Sequence, residues 1–172
     1  MANIFLIGFM GTGKTTIAEA LNRKCDMQII DMDFQIEQDE HKSIPDIFAT
    51  KGEEYFRDLE TKLIKKIQEM DNVVVSCGGG AVLREENVCE MKKSGKIILL
   101  KATPETILKR VQHSHNRPLL EGNKNAAFIA ELMSKREDKY NAAADIAVSV
   151  DDRTVENIAE EIISKVFGWN VN

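Results

Sequence analysis

Gly8-Phe9-Met10-Gly11-Thr12-Gly13-Lys14-Thr15 has the spacing G-x-x-x-x-G-K-[ST]. It stands directly after the apolar run Asn3–Gly8 and directly before a helix-compatible run, Thr16–Lys24. A string of this kind binds phosphate. Its glycines let the backbone curl so that successive N–H groups point inward at phosphate oxygens. The start of the following helix adds unpaired N–H groups and the positive end of its dipole. Gly11, Thr12, Gly13, Lys14, Thr15 and Thr16 are therefore expected to cradle a nucleoside triphosphate, with Lys14 at the β- and γ-phosphates and the Thr15 hydroxyl on Mg²⁺. A chance glycine-rich turn is the competing explanation. The strand before the motif and the helix after it weigh against that.

Other residues narrow the chemistry. A GTPase would carry N-K-x-D to read its base, whereas Asn123-Lys124-Asn125-Ala126 ends in alanine. No aspartate follows Val73-Val74-Val75, where Ser76-Cys77 stands instead. An acidic pair, Asp31 and Asp33, closes another apolar run, Met27–Ile30. Alternation along an extended chain, or a turn into a helix, lets both face the phosphate end. Gly78-Gly79-Gly80 is more glycine than a strand-to-helix turn needs, so a ligand can lie against its backbone N–H groups. Arg57, with Glu60 one turn on, and Arg136, inside Lys135-Arg136-Glu137-Asp138-Lys139, are candidate anion ligands. Taken alone, the Arg57–Glu60 pair reads as an exposed helix pair worth at most ~0.5 kcal/mol.

These residues need a frame that brings them to one edge. Short apolar runs at Asn3–Gly8, Met27–Ile30, Val73–Cys77, Ile97–Leu100 and, more weakly, Ile146–Val150 read as strands buried on both faces. Between them, Glu53–Met70 and Thr154–Phe167 carry apolar residues at helical spacing, and Thr103-Pro104 reads as an N-cap followed by proline at the first helical position. The alternation predicts an α/β fold with a parallel sheet covered by helices on both faces. It also places several of these features, the phosphate loop, the acidic pair and the three glycines, where strands end, on the ligand side of such a sheet. The stretch His113–Asn125 is polar and lacks a sustained period, and reads as a lid of about residues 112–125 over the site. Residues 1–172 are expected to form one domain, with an acceptor-binding region at about 33–60.

Charge and composition exclude several classes. Twenty-three basic against 28 acidic residues give −5, which disfavours nucleic acid as a partner. No apolar run approaches the ~20 residues that a membrane span needs. The start MANIFLIGFMG lacks the basic region and cleavage site of a signal peptide. Cys25, Cys77 and Cys89 are odd in number and lack zinc spacing, so free thiols in a reduced, cytoplasmic compartment are expected. His113 and His115 have no third metal ligand nearby and read as solvated loop residues. Trp169 is expected to anchor the chain's end by packing.

The ordered set is more specific than any member: GFMGTGKTT, Asp31-Met32-Asp33, Ser43-Ile44-Pro45-Asp46-Ile47-Phe48, Phe56-Arg57-Asp58-Leu59-Glu60, Gly78-Gly79-Gly80, Arg117-Pro118-Leu119-Leu120, then Arg136 with Tyr140. In order and spacing, over nearly the whole chain, it resembles the shikimate kinase family. The resemblance implies a three-layer P-loop fold like that of the nucleoside monophosphate kinases, with a five-stranded parallel sheet in order 2-3-1-4-5. It implies transfer of the γ-phosphoryl group of ATP to the 3-hydroxyl of shikimate, a step towards aromatic amino acids. Carried onto this sequence, Arg57 and Arg136 would bind the acceptor carboxylate, and Asp33 would hold ring hydroxyls and take a proton. Gly78, Gly79 and Gly80 would present N–H donors, and Asp31 would act with Thr15 at Mg²⁺. Arg117 would stabilise the transferred group, and Arg110 and Arg153 fall where the family has residues near adenine. The catalytic set is then Lys14, Asp33 and Arg117.

Two departures stand out. His41-Lys42 replaces the family's usual glycine before Ser43-Ile44, and Ser76-Cys77 replaces a small-Thr pair, so Ser76 must supply any hydroxyl there. Cys77 reads as a small buried hydrophobe. ATP, shikimate and Mg²⁺ are the expected ligands, and a monomer the expected state. The rivals are another small-metabolite P-loop kinase, such as a gluconate kinase, and a nucleotide-binding regulator that has lost catalysis. The first lacks the FRxxE, GGG and RPLL ensemble, and the second would not need all the charged candidates at once.

Overall fold

The computed structural model describes residues 1–112 and 125–170. Strands β1 (Asn3–Ile7), β2 (Gln28–Asp31), β3 (Val73–Ser76), β4 (Gly95–Lys101) and β5 (Ile146–Ser149) form a parallel sheet in the order β2-β3-β1-β4-β5. Every residue of β1 and β3 is buried, as their unbroken apolar runs require of inner strands covered on both faces. Alternate side chains enter two cores. Phe5, Ile7, Val73, Val75, Ile97 and Leu99 pack on one side, and Ile4, Leu6, Val74, Ile98, Leu100 and Val148 on the other.

The helices divide between those cores. The second core takes Ile17 and Leu21 from α1 (Lys14–Cys25), together with Ile158 and Ile162 from α8 (Val155–Phe167). The first takes residues from α2 (Met32–Glu40), α3 (Ile44–Lys51), α4 (Glu53–Gln68), α5 (Glu85–Ser94) and α7 (Ala126–Ala143). Ile107 and Val111 of α6 (Pro104–Val111) pack with Phe9 and Ile129 in a smaller cluster beside the phosphate loop. Thr103 and Thr154 cap α6 and α8 by accepting from Thr106 and Asn157 N–H groups.

Element edges differ from the sequence expectation where hydrogen bonding rather than hydrophobicity decides. Strand β2 runs one residue later than the apolar run, because Asp31 pairs in register with Ser76. Strand β4 begins at Gly95, which pairs with Asn3 ahead of the apolar stretch. Trp169 packs on Phe167 at a ring distance of 5.0 Å but stays 46% exposed, so it covers the end of α8 without entering a core.

Candidate active site

The C-terminal ends of β1, β2 and β3 open on one cavity of about 1080 Å³. On its phosphate side the chain leaves β1 and turns through Gly11 and Gly13, both at positive φ (82° and 92°). Gly13 is the N-cap of α1, so no side chain satisfies the first N–H groups, and no acidic residue stands in the first turn. Those donors remain available to an anion. Lys14 Nζ donates to the carbonyls of Gly8 (2.8 Å) and Phe9 (3.2 Å) at the head of the loop. Arg110, on α6, donates to the carbonyls of Thr12 (2.8 Å) and Gly11 (3.4 Å), and also lines the cavity.

Across from the loop, Asp31 ends β2 and caps α2, its Oδ1 accepting from the Phe34 N–H at 3.1 Å. That bond aims the other oxygen, Oδ2, at the Thr15 hydroxyl 3.4 Å away. Two oxygen donors facing each other at the phosphate loop suit Mg²⁺, which takes oxygen ligands and completes its shell with water and phosphate. Among the described residues no cluster of three or more His, Cys, Asp or Glu could hold a metal alone. Ser76, buried at the end of β3, lines the same cavity.

The glycine turn explains the acceptor side. A Cβ on Gly78 would stand 2.9 Å from both Asp33 Oδ1 and Glu60 Oε1. A Cβ on Gly79 would stand 3.0 Å from Arg136 Nη1, and one on Gly80 would overlap the Arg57 guanidinium. Each glycine thus makes room for a different set of charged side chains. The turn is tied to α7 by Tyr140, whose hydroxyl donates to the Gly79 carbonyl at 2.8 Å. Ile44, Phe48 and Phe56 supply an apolar wall, with the Phe48 and Phe56 rings 4.9 Å apart.

Arg57 and Glu60 form an ion pair at 2.7 Å with side chains 13% and 1% exposed, not the solvated helix pair that the sequence alone allows. Burial pushes the Glu60 carboxyl above its usual range, opposed by Arg57. Among the described residues its Oε1 finds no hydrogen-bond partner, and Glu60 is one of the residues lining the cavity. Asp33, although open to water, is also pushed up, first by the protein packed around it and then by Asp31, with Lys14 opposing. Cys77 is buried and burial drives its thiol well above the usual range, which makes it a packing residue.

Lys14, Thr15, Thr16, Asp31, Asp33, Arg57, Gly78, Gly79, Gly80, Arg110 and Arg136 all line this cavity, as do Gly11, Thr12 and Gly13. Arg153 is not brought to it. Its guanidinium is taken up by Glu161 (2.5 Å) and by the carbonyls of Ser149 (3.0 Å) and Asn157 (3.3 Å). Arg117 and most of the expected lid lie outside the described residues. Sequence reasoning missed the apolar wall and the burial of Glu60. The Phe56-Arg57-Asp58-Leu59-Glu60 string was the available signal, but burial is a tertiary property.

A phosphate loop at the switch of a parallel sheet, an opposed Thr–Asp oxygen pair and an adjoining cationic pocket define a P-loop kinase, an ATP-dependent enzyme acting on a small molecule. The family model for shikimate kinase matches residues 10–167. A shikimate kinase from Persephonella marina is 42% identical over 166 residues, 96% of this chain and 99% of that one. Among solved structures, shikimate kinase from Acinetobacter baumannii in complex with shikimate superposes with a TM-score of 0.86 at 29% identity, covering 96% of this chain and 92% of that one. Shikimate kinase from Aquifex aeolicus gives a TM-score of 0.78 at 37% identity, covering 94% of each chain. The chain belongs to the shikimate kinase family. No helix among the described residues is long and apolar enough to cross a membrane.

Proposed function

We propose that the enzyme transfers the γ-phosphoryl group of ATP to the 3-hydroxyl of shikimate, giving shikimate 3-phosphate and ADP. The observation that carries this reading is the convergence of Arg57, Arg136 and Asp33 on the glycine turn, in the same cavity as the phosphate loop. Shikimate is a small ring with one carboxylate and three hydroxyls. The guanidinium forks of Arg57 and Arg136 match its carboxylate by two-point hydrogen bonding. The N–H groups of Gly78, Gly79 and Gly80 and the carboxylate of Asp33 match its hydroxyls.

In the reaction the 3-hydroxyl oxygen bonds to the γ-phosphorus as the bond to the bridging oxygen breaks. That oxygen leaves with its electron pair on ADP, and the hydroxyl proton passes to Asp33. Lys14 and the α1 N–H groups stabilise charge on the phosphates. Thr15 and Asp31 would hold Mg²⁺, which when bound neutralises β- and γ-phosphate charge. Arg110 bonds the loop carbonyls of Gly11 and Thr12 and is assigned to the nucleotide side. The roles of Arg117 on the transferred group and Arg153 near adenine rest on the sequence alone. A monomer acting on two small molecules is the expected state. Unpaired Cys25, Cys77 and Cys89 fit a reducing cytoplasm. Shikimate-dependent release of ADP from ATP tests the whole reading.

A further inference from the structure

Asn87 lies on α5, away from the cavity lining, yet it is fully buried. A buried amide is costly unless both of its ends are bonded, so its partners say what it does. Its Nδ2 donates to the carbonyl of Ala81 at 2.8 Å, the residue directly after the three glycines. Because that partner can only accept, the amide's orientation is settled and Oδ1 must point the other way. There it accepts from the Thr61 hydroxyl at 2.7 Å. Thr61 stands one turn beyond Arg57 on α4, and its hydroxyl also lies 3.1 Å from the Arg57 carbonyl. Arg84 donates to the same hydroxyl oxygen at 3.3 Å, which leaves the single Thr61 proton for Asn87 Oδ1, the nearer of its two acceptors.

The turn that Asn87 grips is continuous with the ligand surface. Ala81 N–H donates to the Gly78 carbonyl and Leu83 N–H to the Gly80 carbonyl, both at 3.1 Å, so residues 78–83 are tied into one continuous turn. We infer that Asn87, through Thr61, is a positioning residue that sets the spacing between Arg57 and the glycine turn, and so tunes recognition of the acceptor rather than of ATP. It touches neither ligand. The close fit of the Arg57 guanidinium over Gly80 makes that spacing matter, because a small shift of α4 against the turn misplaces two acceptor-binding groups at once.

This inference rests on the acceptor reading, and the test separates the two. Wild-type ADP release with and without shikimate is measured first; no dependence on shikimate would overturn the acceptor reading itself. Thr61→Val removes the hydroxyl that Asn87 accepts from, and Thr61→Ser keeps it. Thr61→Val is expected to raise KM for shikimate roughly three- to tenfold, the scale of one lost hydrogen bond, with KM for ATP unchanged. Thr61→Ser should restore the wild-type value. Asn87→Ala should give the same pattern, and the double variant should be no worse than the more affected single one. Independently of any acceptor, hydrogen exchange at residues 78–83 should quicken in the ligand-free Asn87→Ala and Thr61→Val proteins. Equal rises in both KM values, a melting-temperature loss with KM for shikimate unchanged, no rescue by serine, or unaltered exchange would each overturn the positioning role. Should Asn87→Ala fail to fold, the Thr61 pair decides.

Discussion

The Arg57 guanidinium carbon lies 2.6 Å from the point where a Cβ on Gly80 would stand. The glycine is therefore required by contact and not by backbone conformation, since its φ of −104° is open to any residue. Arg57 is held there from behind by Glu60 at 2.7 Å and from the side by Glu53 at 3.3 Å. A carboxylate arriving at the cavity meets a guanidinium whose position is already set.

Gly80→Ala should consequently act as an Arg57 variant. The methyl group displaces the guanidinium, and acceptor affinity is expected to fall by about 1.5–3 kcal/mol, the range for a hydrogen bond to a charged group. ADP affinity should stay at the wild-type level. Calorimetric titration with each ligand checks both halves.

Replacing Arg57 or Arg136 by lysine keeps the charge and removes the planar fork. Each variant is expected to lose about 1.5–3 kcal/mol of shikimate binding with little change toward ATP. The Arg57 variant should also be less stable in thermal melts, because Glu60 is buried and loses a well-fitted partner. Arg136 has no such buried carboxylate pair among the described residues, so its lysine variant should melt close to wild type.

Lys14→Ala should abolish phosphoryl transfer while leaving the fold nearly as stable. Its ammonium serves the carbonyls of Gly8 and Phe9 and the phosphate side of the cavity, and contributes nothing to the apolar cores. Circular dichroism melts alongside a coupled ADP assay measure the two properties separately.

The pH profile reports on Asp33. It must be a carboxylate to take the acceptor proton, so activity falls as pH drops through its pKa in the folded enzyme. Packing and the neighbouring Asp31 raise that pKa above the ordinary 3.8, while Lys14 and Arg57 pull it back. The acid limb of kcat/KM for shikimate is thus expected above pH 3.8, and Asp33→Asn should remove both the limb and most of the turnover.

How much of this was written legibly in the chain depends on the kind of interaction. The phosphate loop was legible because a strand, a glycine string and a helix follow one another locally, and the sheet order followed from the resemblance. Asp31 and Asp33 were legible as a pair, but that Asp31 caps α2 while facing Thr15 depends on a turn no periodicity marks. Arg57 and Glu60 look like a surface pair because spacing cannot report burial, and the glycine turn that packs on both comes from residues 78–80, far along the chain. Asn87 gave no signal at all, since one asparagine in a polar helix start looks like any cap or surface residue.

The most direct test of the account is ADP release by the purified enzyme from ATP and Mg²⁺ with shikimate, with gluconate, or with no acceptor. The account predicts release that requires shikimate and saturates with it, with phosphate appearing on the 3-hydroxyl and gluconate matching the acceptor-free background. Release at the same rate with gluconate, or none above background with shikimate, would contradict it.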